Sequence, residues 1–531
     1  MQHNTLKSLM FFALIFNSFE VIWCQPYDVK KSEKVIEVFQ WITASYVDTV
    51  DQEKISRAAI EGMLKKLDPH SVYIPREKVK EMEEPLTGNF EGVGIQFNIL
   101  KDTILVVSPI SGGPSEKLGI LSGDKIIYID YELVAGIGMT NKGVIKRLRG
   151  DKGSLVIVQI KRKGVDKLIE FEIIRDKIPI YSVDATYMIN NHTGYIKLNK
   201  FSANTIEEFD ASINVLKEKG MKNLILDLTN NGGGYLQASL MLSDHFLSNN
   251  KLMLSVNGKT DLKDTYEATP LGAFEKGRVV VLIDEGSASA SEIVSGAIQD
   301  NDRGLIVGRR SFGKGMVQKP IYLSDSSMIR LTIKRFYTPS GRCIQKPYEE
   351  GVEKYYEEIF NRYNSGELIS EDSIKFPDSL TFKTVKGRTV YGGGGIMPDV
   401  FVPIDTTWSS DLYVDIARKG LQNQFCLDYV NTERERLLET YNDMKSFKDN
   451  FKIDEDIEQR FLKFIEKEKI ELDITQYEKS RRIILAQLRA LIARNLWNST
   501  AYFYLMNEVN EVYLKGVELI GKEDFNTYLK D

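Results

Sequence analysis

The run Val279–Asp284 (VVVLID) passes straight into a cluster of small residues, and this junction constrains the fold more than any other stretch. A short apolar run rich in β-branched residues reads as a buried strand. Gly286 and the serines Ser287, Ser289 and Ser291 follow, and then Ile293, Val294, Ala297 and Ile298 recur at helical spacing. A strand, a tight turn and a helix in immediate succession hold a serine hydroxyl at a helix N-terminus, where backbone N–H groups have no helical partner. Such donors can stabilise the oxyanion of acyl transfer. The preceding sequence repeats the alternation, with a strand at Thr193–Leu198, a helix at Ile206–Lys219, a strand at Lys222–Leu228 and a helix at Tyr235–Phe246. This pattern argues for an α/β layer fold.

Ser289 and Glu292 also fit a capping box, a motif that needs no chemistry. Lys314, set between Gly313 and Gly315, changes the balance. A serine nucleophile needs a proton acceptor, and a neutral lysine can serve. Lowering a lysine pKa from about 10.4 to about 7–8 takes roughly 4 kcal/mol of desolvation, which an apolar cleft can supply. In a strand, Gln318 shares the face of Lys314. No histidine falls within 284–318; the four present are His3, His70, His192 and His245. Their scatter weakens a Ser-His-Asp reading, and His70 in LDPHS reads as structural.

The segments SASASEI and VGRRSFGKGMVQ resemble the signature of the C-terminal processing (tail-specific) peptidases, which use a serine and a lysine. In that family the lysine of FGKG follows the serine by 25 positions, and here 314 − 289 = 25. The resemblance implies Ser289 as nucleophile, Lys314 as general base and Gln318 as the residue orienting the lysine. It also implies a ClpP/crotonase-like core, with the N–H groups of Gly233 (in Asn230–Gly234) and Ala290 as oxyanion hole. Thr229 stands where the family commonly has arginine, an expected loss of one supporting contact.

Upstream, Gly92-Val93-Gly94-Ile95, the strand Thr103–Ser108, Gly113-Pro114 with a helix-like SEKLGI, and Leu121–Ile129 follow the order of a PDZ domain. The resemblance makes Gly92, Val93, Gly94 and Ile95 the loop that holds a peptide's terminal carboxylate, a task suited to a strand edge and a nest of N–H donors. Leu118-Gly119 departs from the alanine usual before that glycine. Ala59–Ile74 resembles the segment that precedes the PDZ domain in the family.

At 531 residues the chain is too long for one core. Its expected divisions are a signal peptide (1–24), an N-terminal helical segment (25–86, with helices at Val29–Tyr46 and Glu53–Leu67) and the PDZ domain (87–177). A peptidase core (178–405) with an insertion (346–383) follows, then a C-terminal helical region (406–531). Lys7 and the eight apolar residues Leu9–Phe16 read as a secretory signal, too short to span a bilayer, with cleavage near Cys24 or Gln25. Trp23 is bulky for a lipobox, so lipid anchoring is the lesser alternative. Export to the periplasm or cell envelope is expected.

The net charge of −5 gives no basic face for nucleic acid. Cys24, Cys343 and Cys426 have no metal spacing, and no cofactor is implied. The expected function is an exported serine endopeptidase acting on protein or peptide substrates with a free C-terminus. An activating adaptor and a homodimer are partners that fit this reading. The alternatives are a non-catalytic PDZ-bearing envelope scaffold and an acyl-CoA enzyme on a related fold.

Overall fold

The computed structural model describes residues 29–259 and 263–530. The expected signal segment, with Lys7, Leu9–Phe16 and Cys24, lies outside them. Among the described residues, no helix is long and apolar enough to cross a membrane.

The central sheet has six strands in the order Val183–Met188, Thr193–Leu198, Asn223–Asp227, Val279–Ile283, Leu305–Gly308 and Val400–Phe401. The first pair is antiparallel and the others are parallel. Every residue of Val279–Ile283 is buried, because both faces of the sheet are covered. The helices Thr205–Glu218, Leu236–Asp244 and Ala290–Asp300 pack on one face through Phe209, Ile213, Leu240, Val294 and Ile298. Val512, Tyr513, Leu519 and Ile520 of the helix Glu511–Gly521 cover the other, against Ile225, Val280 and Leu282. The C-terminal region is therefore two things. Its last helix completes the peptidase core, whereas Phe425, Phe447, Phe461, Ile484 and Leu488 build a separate helical core.

A second, antiparallel sheet is built on Met328–Tyr337. That strand pairs along one edge with Met316–Tyr322 and along the other with Val72–Ile74 and Leu252–Gly258. The segment 25–86 is thus not purely helical. After the helices Val29–Ser45 and Gln52–Leu64 it lends a strand to the core, then forms the helix Arg76–Thr87.

The PDZ-like module is a sheet in the order Ile95–Leu100, Thr103–Pro109, Lys125–Ile129, Leu155–Lys161 and Ile169–Ile174, with Ile95–Leu100 at an edge. Gly94 has φ +74°. Its carbonyl accepts from the Ile110 N–H at 2.8 Å. Ser115 Oγ donates to the Val93 carbonyl at 2.6 Å, fixing the loop against the short helix Pro114–Lys117. Gly119, beyond that helix, has φ +83°, a conformation that suits glycine.

Candidate active site

Ser289 is the N-cap of Ala290–Asp300 and takes φ +54°, ψ −110°. Such backbone costs about 1–3 kcal/mol for a residue with a side chain and persists only where its surroundings enforce it. Two turns do so here. Asp284 accepts from the N–H groups of Asn230 at 2.7 Å and Gly286 at 3.0 Å. Ser287 Oγ donates to the Leu228 carbonyl at 2.8 Å, and the Asn231 carbonyl accepts from Ala288 N–H at 2.9 Å and Ser291 Oγ at 2.8 Å. The glycine turn and the serine turn are sewn together.

Gly233 lies hard against the serine. A Cβ there would sit 2.8 Å from Ser289 Cβ and 2.9 Å from the Ala290 nitrogen, and its φ of +96° also demands glycine. The Ala290 N–H has no acceptor among the described residues. The Gly233 N–H donates to Asn231 Oδ1 at 2.9 Å, so it is engaged in this state.

Glu292 does more than cap a helix. Fully buried, it takes the Ser289 N–H at 2.8 Å and the Lys314 N–H at 2.9 Å on Oε2. Its Oε1 takes Ser311 Oγ at 2.5 Å and the Gly313 N–H at 2.7 Å. One carboxylate oxygen thus binds the backbones of both Ser289 and Lys314, which brings the two expected reactive residues together. Burial raises the proton affinity of this carboxyl, and its four donors oppose that shift.

Lys314 is lowered from the usual 10.5 to about 8, chiefly by burial and then by repulsion from Arg330, with Glu292 and Asp68 acting against the shift. Its ammonium has no ion pair or hydrogen bond among the described residues. Gln318 is not its partner. Lys314 precedes the strand Met316–Tyr322, so the alternation that would have aligned the two does not extend to it, and the register shift beside Gln318 skips Ile333 on the facing strand Met328–Tyr337. The Gln318 amide instead donates to Thr332 Oγ1 at 3.3 Å and the Met316 carbonyl at 3.4 Å.

The segment LDPHS reaches this site through the core sheet. Thr332 Oγ1 donates to Asp68 Oδ1 at 3.1 Å, and Asp68 also accepts from the N–H groups of His70 at 2.7 Å and Ser71 at 2.9 Å. His70 Nε2 lies 3.0 Å from Tyr355 Oη. Burial, together with the charge of Lys314, pushes this imidazole down to about 4, so it is neutral at physiological pH. Its closeness to the lysine is invisible in the sequence.

The insertion holds the lysine loop from outside. Arg362, on the helix Val352–Asn364, donates to the carbonyls of Ser311 at 2.9 Å and Arg310 at 3.3 Å. The Lys346 N–H donates to the Gly313 carbonyl at 3.0 Å, and Gln345 Oε1 accepts from Gly315 N–H at 2.8 Å. The Thr229 hydroxyl donates to Asp227 Oδ1 at 2.7 Å, and Lys197 Nζ donates to its carbonyl at 2.6 Å. Among the described residues no acidic, histidine or cysteine cluster could hold a metal.

Four family models match the chain: peptidase family S41 over 192–357, a PDZ domain over 92–173, the activating protease CtpB N-terminal domain over 22–78, and a family of unknown function over 412–498. The chain is 37% identical over 313 residues to a carboxy-terminal-processing protease of Bartonella bacilliformis, spanning 58% of this chain and 71% of that one. It is 37% identical over 327 residues to the carboxy-terminal processing protease CtpB of Bacillus subtilis, spanning 61% and 67%. The solved photosystem II D1 C-terminal processing protease shares 28% identity over 58% of this chain and 89% of that one, with a TM-score of 0.34. A strained serine turn and a buried lysine thus occur in a chain that belongs to the carboxy-terminal processing proteases of peptidase family S41, serine-type hydrolases with a PDZ domain.

Proposed function

We propose that the protein is an exported endopeptidase that captures the C-terminal tails of protein substrates and cleaves them with Ser289 and Lys314. The observation that carries this reading is the lysine, without an ion pair among the described residues, depressed to about 8, and tied to the serine's backbone through Glu292. Ser289 Oγ attacks the scissile carbonyl as Lys314 Nζ takes its proton. The oxyanion is received by the Ala290 N–H and by Gly233 once Asn231 releases it, or by a neighbouring glycine N–H. The lysine then protonates the departing amine, and water hydrolyses the acyl-enzyme. Gln318 acts on this machinery through Thr332, not by direct contact with the lysine.

The edge strand Ile95–Leu100 and the loop Gly92–Val93–Gly94 receive the tail by strand addition. A second copy of the chain is proposed as a partner because the helix Val29–Ser45 buries none of its residues and exposes Ile36, Val38 and Trp41. An uncleaved adaptor can enter the same PDZ groove and activate.

Ser289→Ala tests the reading. The variant should fold and bind tail peptides, and cleavage should vanish. Turnover surviving in it would remove the nucleophile from the mechanism. Comparing envelope protein C-termini by mass spectrometry, with and without the variant, identifies the substrates.

A further inference from the structure

Arg330 is a charged group at the lysine's flank, without an ion pair among the described residues. It lies on the strand Met328–Tyr337, opposite Val72 on one side and Pro320 on the other. Thr332, two residues on and therefore on the same strand face, bonds both Asp68 and Gln318. Arg330 Nε is buried without a hydrogen-bond partner, and no ion pair to the guanidinium exists among the described residues. Its neighbour of like charge is Lys314, and the group that favours its charge is the Tyr356 phenol. A half-buried guanidinium is costly unless something anionic meets it, and the planar fork suits a carboxylate.

We propose that Arg330 forms a subsite for a carboxylate of the bound substrate chain, close to the scissile bond. The inference rests on Ser289 and Lys314 being the reactive pair. Two sources carry this chemistry: an Asp or Glu side chain flanking the bond, and the α-carboxylate of a tail that ends shortly beyond it. Docking has a second effect. Arg330 depresses the lysine's proton affinity, so a carboxylate that neutralises it lets that affinity rise. Acidic substrates should therefore show their acid limb in kcat at higher pH than matched neutral ones.

The test uses the full chain and matched peptides carrying Glu or Gln at each of three positions on either side of the cleaved bond. A second set ends one to three residues past that bond, as free acids or amides. The expected result is a preference of about tenfold or more in kcat/KM for a carboxylate at one position, the size of a charge-assisted fork. Arg330→Gln should reduce that ratio to about one, and Arg330→Lys should keep part of it. Loss on amidation that depends on Arg330 assigns the terminus; loss on Glu-to-Gln exchange assigns the side chain. Wild-type enzyme indifferent to carboxylate at every position overturns the proposal, whether or not the variants fold, and so does an undiminished preference in Arg330→Gln. Cleavage by Ser289→Ala would instead overturn the underlying reading of the reactive pair, a distinguishable failure.

Discussion

Replacing Lys314 with methionine tests two consequences of the same burial. With a proton affinity near 8 instead of the usual 10.5, about one lysine in ten is neutral at pH 7, roughly 300-fold more than for a solvated lysine. Holding the ammonium there costs the native state about 3 kcal/mol. The unfolded chain keeps its proton up to about 10.5 and the folded one releases it near 8, so stability rises with pH through that window. Below it the penalty is fully present. Lys314→Met should therefore be inactive yet more stable at pH 7, by up to about 3 kcal/mol, read as a higher urea midpoint at unchanged slope. The advantage should shrink as pH climbs from 8 towards 10.5.

Wild-type kcat/KM should rise about tenfold per pH unit below 8 and then level off. Glu292 and Asp68 support the charge and Arg330 opposes it, while His70, titrating near 4, is silent in this range. Equal or lower stability of Lys314→Met at pH 7, or a flat kcat/KM from pH 6 to 8, would refute the reasoning.

Ser289→Gly relieves the +54° φ and should stabilise the fold by about 1 kcal/mol in thermal unfolding while abolishing turnover. Gly233→Ala drives a methyl group into Ser289 and the Ala288 carbonyl; kcat should fall about 100-fold or more, with destabilisation of about 2 kcal/mol. Glu292→Gln sets an amide NH2 against two of the four donors now served. It should cost about 2–3 kcal/mol in chemical denaturation and, by removing a charge that supports the ammonium, move the acid limb of the pH profile below 8.

The serine turn was legible because strand, small residues and helix are contiguous, so each local preference points the same way. The PDZ loop was legible for a similar reason: Gly94 must take positive φ, and glycine marks it. What escaped detection came from long-range pairing. Glu292 looks like an ordinary N3 acid until Ser311, Gly313 and Lys314 arrive from another loop. Asp68 and His70 reach the lysine only because a three-residue strand docks beside Met328–Tyr337. The expectation that Gln318 shares a face with Lys314 took one strand to run through both, whereas the strand begins at Met316.

That three-residue strand couples distant parts of the chain. Val72–Ile74 continues directly from Asp68 and His70, and the outer helices precede it. Peeling it away would strip a supporting carboxylate from around Lys314 and break the contact with Tyr355. Whatever grips those helices therefore has a mechanical handle on one proton.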